Sequence, residues 1–319
     1  MKIFDCVPFF NETELLRLRI ACLEDLVDRF VVVEARQTHS GEAKPLHLWA
    51  DEAADLRAHP KLVARAVDLP ADADDWGRDY HQRDRLGDAL AELGAAPGDL
   101  ILHSDVDEIP ARAAVQRAAE ALAAARERTF LAFEQRLFHF RLNYELVWSR
   151  KLPWLGTAAA RYGDLRTMTG LRATVRRQRG RHARGVDTAA RVYAVAGGGW
   201  HFSYLGDDEA LERKLAAHAE HRAKARRAGS VREVIEARAG LFPRAGLDEV
   251  WAVVPPGDLG LPEGAIARAR LAHLVEPGGD TADAILRRVR ECAVPRRGRL
   301  WGYDVGFARR GPWPPLQGY

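Results

Sequence analysis

The sequence predicts an α/β fold with a mostly parallel, Rossmann-like central sheet flanked by helices. Two observations lead to this prediction. The first 35 residues read as strand, helix and strand, and the second strand (residues 30–35) is a continuous β-branched run that suits a strand covered on both faces. The same alternation of strands and helices then continues to about residue 128, for which a parallel sheet is the economical arrangement.

Each predicted element has a local pattern that supports it. In the first helix, residues 12–29, Leu16, Ile20 and Leu23 follow one another at spacings of four and three, which places them on one helix face. A segment over 130–140 alternates aromatic and charged residues, like a strand with one face in solvent. The other predicted strands are 2–6, 61–67 and 99–103; the other predicted helices are 46–58, 75–93, 110–128, opened by Pro110, and 208–228.

Beyond residue 140 the sequence becomes harder to interpret. Residues 141–199 show little periodicity, and the tail from residue 294 is rich in proline and aromatic residues, which predicts a chain extended over the surface. We therefore expect one domain over residues 1–277 and a helical and irregular C-terminal extension over 278–319 packed on it.

Composition narrows the class of protein. Hydrophobic residues make up 47% and charged residues 29%, which excludes disorder as the main state, and a net charge of +3 indicates no particular partner. Three cysteines without CxxC spacing indicate neither a disulfide framework nor a zinc cluster. The N-terminus is charged by Glu12 and Glu14, and no window holds 18 uncharged apolar residues. We expect a cytoplasmic protein without a transmembrane segment.

The segment most informative about chemistry is residues 99–110, where an apolar strand leads into three carboxylates. Asp105 and Asp107 are two positions apart, so in an extended chain they point to the same side. Two like charges about 4 Å apart repel by roughly 4 kcal/mol at an effective dielectric constant near 20. The compensating group can be a bound proton, an arginine or a cation.

A cation bound only by carboxylates would be Mg²⁺ or Mn²⁺, which leave positions open for substrate phosphates. This arrangement suits a nucleoside diphosphate. The alternative is that Asp107 or Glu108 caps the helix that opens at Pro110, where the free N–H groups and the helix dipole stabilise a carboxylate.

Several stretches, taken in order, resemble one family. They are DCVPFFNE at 5–12, FVVVE at 30–34, SGE and KPL within 40–46, SDVDEIP at 104–110, GWHFSYLG at 199–206 and LP at 261–262. The set is similar to glycosyltransferase family 17, the β-1,4-N-acetylglucosaminyltransferases related to the bisecting enzyme of N-glycans. The resemblance covers about residues 2–277.

This resemblance implies a GT-A-like fold, UDP-N-acetylglucosamine as donor, and transfer with inversion at the anomeric carbon. It also implies Mn²⁺ or Mg²⁺ at Asp105 and Asp107. His201 follows a glycine run that lets backbone approach a ligand closely, and the family match makes it a candidate for the metal shell or for a phosphate contact. A packed histidine is the alternative.

Inversion in one displacement requires a base that takes the acceptor proton. Glu209 matches an acidic position of the family and stands at a predicted helix start, where Asp207 and Asp208 can serve as caps. Glu108 is the rival candidate, and a structural role is open for both glutamates.

Further residues match the family more loosely and are candidates for contacts with the donor. Glu34 ends the second strand, and Gln82 and Arg83 lie in the third helix. Trp200 and Tyr204 can stack on the sugar or the uracil, or can belong to the core. Surface roles remain open for Gln82 and Arg83.

An arginine-rich run, Arg172, Arg176, Arg177, Arg179, Arg181, His182 and Arg184, would attract a diphosphate, a phosphorylated acceptor or nucleic acid. The near-zero net charge and the absence of a reader motif argue against nucleic acid. The eukaryotic relatives carry a membrane anchor that we do not expect here, so the acceptor would be a glycan, a lipid-linked saccharide or a small metabolite. The alternatives are another nucleotide sugar as donor, or a non-catalytic sugar-nucleotide or nucleic-acid binding protein.

Overall fold

A computed structural model describes residues 1–149, 152–176, 184–217, 229–241 and 249–291. These residues divide into two compact units: Met1–Gln135 with Leu155–Gly199, and Arg136–Trp154 with the described residues from Trp200 onward. The domain boundary expected after residue 277 stays a prediction. Cys292 and the tail from residue 294 lie outside the described residues.

The described secondary structure alternates strands and helices over the first 124 residues and is richer in strands thereafter. The strands are β1 (Ile3–Phe9), β2 (Arg29–Ala35), β3 (Leu62–Val67), β4 (Leu100–His103), β5 (Glu108–Pro110), β6 (Thr129–His139), β7 (Tyr144–Ser149), β8 (Trp154–Arg161), β9 (Arg191–Ser203) and β10 (Glu249–Val253). The α-helices are α1 (Thr13–Leu23), α2 (Ala54–Arg57), α3 (Asp75–Glu92), α4 (Arg112–Ala124), α5 (Met168–Val175), α6 (Asp208–Ala217), α7 (Val231–Glu236), α8 (Ala265–Arg268) and α9 (Ala282–Glu291).

The sheet of the first unit confirms the predicted α/β class. Its parallel part has the order β3-β2-β1-β4, with Cys6 of β1 opposite Val31 of β2 and His103 of β4. β8 continues the sheet antiparallel to β4. The carboxyl ends of β1, β2 and β4 therefore lie along one edge, where open α/β sheets bind ligands.

Helix α1 is buried more completely than an amphipathic surface helix. Leu16, Ile20 and Leu23 are in the core as their spacing predicts, but Arg17 and Arg19 are buried as well. Arg17 pairs with Asp55 at 2.7 Å, and Arg19 pairs with a carboxylate of β1. Buried charges require such partners, so both faces of the helix make tertiary contacts.

The helix predicted over residues 46–58 is wrong. The segment forms 3₁₀ turns at His47–Trp49 and Asp51–Ala53 and the four-residue α2. The side chain of Arg57 donates to the carbonyls of Leu48 and Ala50, both at 2.7 Å. Because these carbonyls accept from a side chain and not from backbone N–H groups further along a helix, the segment forms short turns in place of a regular helix.

The exposed face predicted for residues 130–140 is also wrong, because β6 is buried along nearly its whole length. Phe130 and Ala132 pack in one cluster with residues of β8 and α5, while Leu131 and Phe133 on the opposite face are equally inaccessible. Residues 141–199, which show little periodicity, contain β7, β8, α5 and most of β9. Strands buried on both faces do not alternate, so their pattern is weak.

The second unit has its own core. β7 pairs with β10 and with the end of β6, both antiparallel. Tyr144 and Trp251 stack with ring centroids 5.3 Å apart in a cluster that also includes Leu211 of α6 and Val234 of α7. α6 begins at the predicted Asp208; residues 218–228 of the predicted helix lie outside the described part of the chain.

None of the described helices combines the length and the apolar character needed to cross a bilayer.

Candidate functional site

The acidic turn of residues 104–107 connects β4 to β5 at the carboxyl edge of the parallel strands. It is closed by two hydrogen bonds: the backbone N–H of Glu108 donates to the carbonyl of Asp105 at 3.1 Å, and the N–H of Asp105 donates to Oε2 of Glu108 at 3.0 Å. Glu108 therefore caps this turn. It does not cap a helix, because α4 begins only at Arg112 and its N-cap, Ala111, makes no side-chain capping bond.

A buried ion pair between α1 and β1 supports the turn. Arg19 and Asp5 are both inaccessible and form a bidentate pair with two 2.6 Å contacts. The remaining donors of Arg19 reach Oγ of Ser104 at 2.8 Å and the carbonyls of Asp105 and Glu108 at 3.2 and 2.9 Å. Arg19 thus fixes the backbone that presents Asp105.

Helix α3 supplies the first charged partner of Asp105. Arg83 lies on this helix with Nη1 2.8 Å from Oδ1 of Asp105. Its Nε donates to both oxygens of Asp79, one turn earlier, at 3.1 Å. His39 lies 4.0 Å from Asp79, with its Nε2 2.9 Å from Oε1 of Gln82. Arg83 is thus held between one carboxylate of its own helix and one of the acidic turn.

Helix α5 supplies the second partner. Arg172 contacts Oδ2 of Asp105 and donates to Oε2 of Glu108 at 2.8 Å, and Arg176 contacts Oε1 of the same glutamate. The side chain of Glu108 is fully buried. A role as general base would require these bonds to break, since both of its oxygens accept from arginine and a base must offer a lone pair to the acceptor hydroxyl.

The ion pairs around the acidic turn form one cluster with equal numbers of positive and negative side chains. It consists of three carboxylates and three arginines: Asp79, Asp105, Glu108, Arg83, Arg172 and Arg176. Of the three groups that could compensate the acidic turn, namely a proton, an arginine or a cation, the structure shows arginine.

The electrostatics follow from this pairing. Burial disfavours the charged form of Asp105, but the positive charges of Arg172 and Arg83 outweigh it and hold the pKa of this carboxyl well below its usual range. Burial also opposes the charge of Arg172, yet Asp105 and Glu108 raise its pKa above the ordinary value. Asp105 and Arg172 are therefore both charged at neutral pH.

A metal ion is expected at Asp105 and Asp107, with His201 as a further candidate ligand. Both oxygens of Asp105 are paired with guanidinium groups, Asp107 is only 9% exposed, and the ring of His201 stacks on Trp154. Among the residues that the structure describes, no group of three His, Cys, Asp or Glu side chains could hold a metal ion. As placed, these residues do not fit a resident divalent cation.

Glu34, a candidate for a donor contact, binds the loop that follows β2. Its buried carboxylate accepts from Nζ of Lys44 at 2.6 Å and from the backbone N–H groups of His47 and Leu48 at 2.7 and 2.9 Å. Gln82 is similarly occupied, because its amide donates to carbonyls of β1 and β2 at 3.1 and 2.9 Å. These contacts give both side chains a structural task.

The aromatic segment after the glycine run packs in the second unit. Trp200 is buried, and its Nε1 donates to the carbonyl of Leu259 at 2.7 Å. His201 stacks on Trp154 with ring centroids 4.5 Å apart, and Tyr204 belongs to the core cluster. These contacts agree with the packed alternative for all three rings.

The glycine run itself meets protein backbone. A Cβ on Gly198 would lie 2.7 Å from the backbone nitrogen of Glu134, and one on Gly199 would lie 2.2 Å from the carbonyl oxygen of Ile109. The glycines let β9 approach its neighbours β5 and β6 closely, which accounts for the run by strand packing.

Glu209 lies exposed in the first turn of α6. The cap of that helix is Asp207, whose Oδ1 accepts from the backbone N–H of Ala210 at 3.0 Å, while Asp208 accepts from the N–H of Val231 at 2.6 Å. The capping bonds are thus made by its neighbours, and the role of Glu209 as base stays a prediction.

Three residues that support the acidic turn were not singled out by sequence: Arg19, which contacts the turn, and Asp5 and Asp79, which pair with the arginines that contact it. Asp5 interrupts the apolar run of β1, and Arg19 stands between Leu18 and Ile20. Opposite charges at core positions of consecutive elements were the signal for that pair. Of the arginine-rich run, only positions 172, 176 and 184 are described.

The chain is similar to known proteins at two levels, solved structures and a family model. One similar solved structure is a glucosyl-3-phosphoglycerate synthase of M. tuberculosis, with 18% identity and a TM-score of 0.31; the match covers 61% of this chain and 72% of that one. Another is a 2-C-methyl-D-erythritol 4-phosphate cytidylyltransferase of Francisella tularensis, with 9% identity and a TM-score of 0.34; the match covers 68% of this chain and 100% of that one. No curated protein matches the chain.

The family model "Glycosyltransferase family 17" matches residues 1–154. This stretch contains β1–β4, the acidic turn and Arg83, whereas Arg172 and Arg176 lie beyond it. Over residues 1–154, the chain is therefore similar to glycosyltransferase family 17.

Proposed function

We propose that the protein transfers N-acetylglucosamine from UDP-N-acetylglucosamine to a hydroxyl group of a glycan, lipid-linked saccharide or small-molecule acceptor, with inversion at the anomeric carbon. The family supports glycosyl transfer, and the resemblance of the motifs supports this donor. The single structural observation that carries the proposal is the arginine-bound acidic turn at the carboxyl edge of the parallel strands, where this class of sheet binds its ligands.

The chemistry asks three things of the protein. Departure of UDP places negative charge on the β-phosphate, which preorganised positive groups stabilise. The donor must be held in line with the acceptor hydroxyl, and a base must take the acceptor proton. Arginines at the sheet edge suit the first task; the exposed carboxylate of Glu209 is our candidate for the third.

Donor binding tests the proposal directly. UDP-N-acetylglucosamine is expected to raise the melting temperature more than UDP-glucose or GDP-mannose, because a ligand that binds only the native state stabilises it by about 2.7 kcal/mol at a hundredfold excess over Kd. Incorporation of radiolabelled sugar into an acceptor panel then reports transfer. Equal shifts with all three donors, or none, would argue against the assigned sugar.

The metal requirement implied by the resemblance stays a prediction, and the same titration addresses it. The donor shift is measured with Mn²⁺ and with chelator, using the same protein sample. A shift that needs Mn²⁺ would support the requirement; equal shifts would contradict it.

Glu209→Gln tests the base assignment. We expect normal donor binding and transfer slowed by about 10²–10⁴-fold, the usual contribution of a positioned base. Glu212→Gln, at an exposed position three residues further along α6, is the matched control and should transfer at the wild-type rate. Single-turnover transfer at saturating donor is the measurement; an undiminished rate in Glu209→Gln would move the proton to another group.

A further inference from the structure

The carboxylate of Asp105 is bound the way arginines bind an anionic ligand. One oxygen lies 2.8 Å from Nη1 of Arg83, and the other contacts Nη2 of Arg172. Two guanidinium groups from different helices thus converge on one small anion. Charge-assisted pairs of this kind are also how arginine recognises phosphate.

The three carboxylates of the cluster are not equivalent. The side chain of Asp105 is 36% exposed, whereas that of Asp79 is 13% exposed and that of Glu108 is fully buried. Each arginine that holds Asp105 is anchored separately, Arg83 by Asp79 and Arg172 by Glu108. If Asp105 turned into solvent, both guanidinium groups would keep a buried partner and stay in place.

Charge decides what could replace Asp105. With this carboxylate in place the cluster is neutral and has little attraction for an anion. Without it, the described cluster keeps three arginines, Arg83, Arg172 and Arg176, and two carboxylates, Asp79 and Glu108, which leaves the cluster one net positive charge at the carboxyl edge of the sheet.

We propose that Arg83 and Arg172 form the binding site for the donor's diphosphate, and that the carboxylate of Asp105 occupies this site until the diphosphate displaces it. The inference deepens the proposed function, on which its choice of a diphosphate rests. It makes Asp105 a competitor of the ligand and gives the anion a partner in this chain that is not a metal ion. It explains why the acidic turn does not fit a resident metal.

Asp105→Asn separates this inference from a metal-ligand role. In chelator, the variant is expected to bind inorganic pyrophosphate about ten- to hundredfold more tightly than the wild type, because two charge-assisted contacts no longer compete. Loss of a metal ligand would leave metal-free binding unchanged. Titration calorimetry measures the affinity, and equal affinities for the two proteins would overturn the inference.

Asp88→Asn is the matched control. It removes the same charge from an exposed pair with Arg85 on α3 and should leave pyrophosphate binding as in the wild type, because a change in net charge alone does not create the site. An equal gain in both variants would reduce the effect to bulk electrostatics and contradict the proposal.

A second change identifies the site that has been freed. Adding Arg83→Gln to Asp105→Asn should abolish the gain, provided that circular dichroism shows both variants folded. If the asparagine variant does not fold, Asp105→Ser serves in its place. A gain that survives the loss of Arg83 would place the anion elsewhere.

Failure of the proposed function would look different. A protein that gains pyrophosphate affinity through Asp105→Asn, yet neither binds UDP-N-acetylglucosamine nor transfers sugar, would keep the anion site and lose the assigned donor. Normal sugar transfer without the gain would keep the function and overturn the exchange.

Discussion

His103 is a buried histidine that stays uncharged beside the acidic turn. Its Nδ1 lies 3.1 Å from the carbonyl oxygen of Cys6, so Nδ1 carries the proton and donates. Burial, followed by the charges of Arg83 and Arg172, lowers the pKa of His103 from its ordinary 6.5 to about 3. A positive charge here would be repelled by the arginines that hold Asp105.

This neutral imidazole predicts a pH dependence of stability. Between about pH 6.5 and 3 the unfolded chain binds a proton at His103 that the folded chain does not, so acid favours unfolding. From pH 7 to pH 5 this group alone should remove about 2 kcal/mol. His103→Asn should lose less stability over the same interval, since asparagine does not titrate. Urea unfolding of both proteins at the two pH values is the measurement, and parallel losses would contradict the assignment.

At the scale of single residues, sequence located the acidic turn but not its compensating charge. Asp105 and its relation to Glu108 follow from local spacing. Arg172 is 67 positions from Asp105, and no local pattern states that a helix so distant returns to the turn. From the sequence, a proton, an arginine and a cation were therefore equally possible as the compensating group, and only the tertiary structure distinguished them.

Strand β9 shows how one element depends on residues without side chains. Gly199 has a φ of 122°, in the region that favours glycine, and an added Cβ would also lie 2.6 Å from the backbone nitrogen of Ala111. Gly199→Ala should therefore cost about 3 kcal/mol or more, through strain and overpacking together.

The matched control for this change is Gly87→Ala. Gly87 lies inside α3, and a Cβ there would meet no atom within 4 Å, so alanine should stabilise the protein by about 0.5–1 kcal/mol. Melting temperatures of the two variants should thus move in opposite directions. A small loss in Gly199→Ala would show that β9 can shift away from β5.

Elements were predicted best where their pattern is local. β1, α1, β2, β3, α3 and β4 are present within a few residues of their predicted ranges, except that α1 ends at Leu23. The segment around residue 50 was wrong because its backbone groups bind the side chains of Glu34 and Arg57 from outside it. Such partners override a helical pattern.

On the scale of the whole molecule, the ion pairs of the acidic turn join elements far apart in the chain. Glu108 begins β5, and Arg172 lies on α5, which follows three intervening strands. A buried pair of this kind offers little net stability over an apolar pair, yet breaking it leaves an uncompensated charge. The cluster should therefore contribute to stability mainly through what its loss exposes.

Arg172→Met tests that contribution, and an exposed ion pair with the same separation in sequence is the control. Arg172 is 7% exposed and Glu108 fully buried, 64 positions apart, so we expect a loss of about 3–5 kcal/mol. Arg191 pairs with Glu127 over the same separation, but both side chains are more than half exposed, and Arg191→Met should show no measurable loss because water screens the pair. Guanidinium unfolding of the two variants gives both free energies. Equal losses would contradict this prediction, because the burial of Glu108 would then not explain the cost. The two pairs span the same length of chain, so that length cannot account for a difference between them.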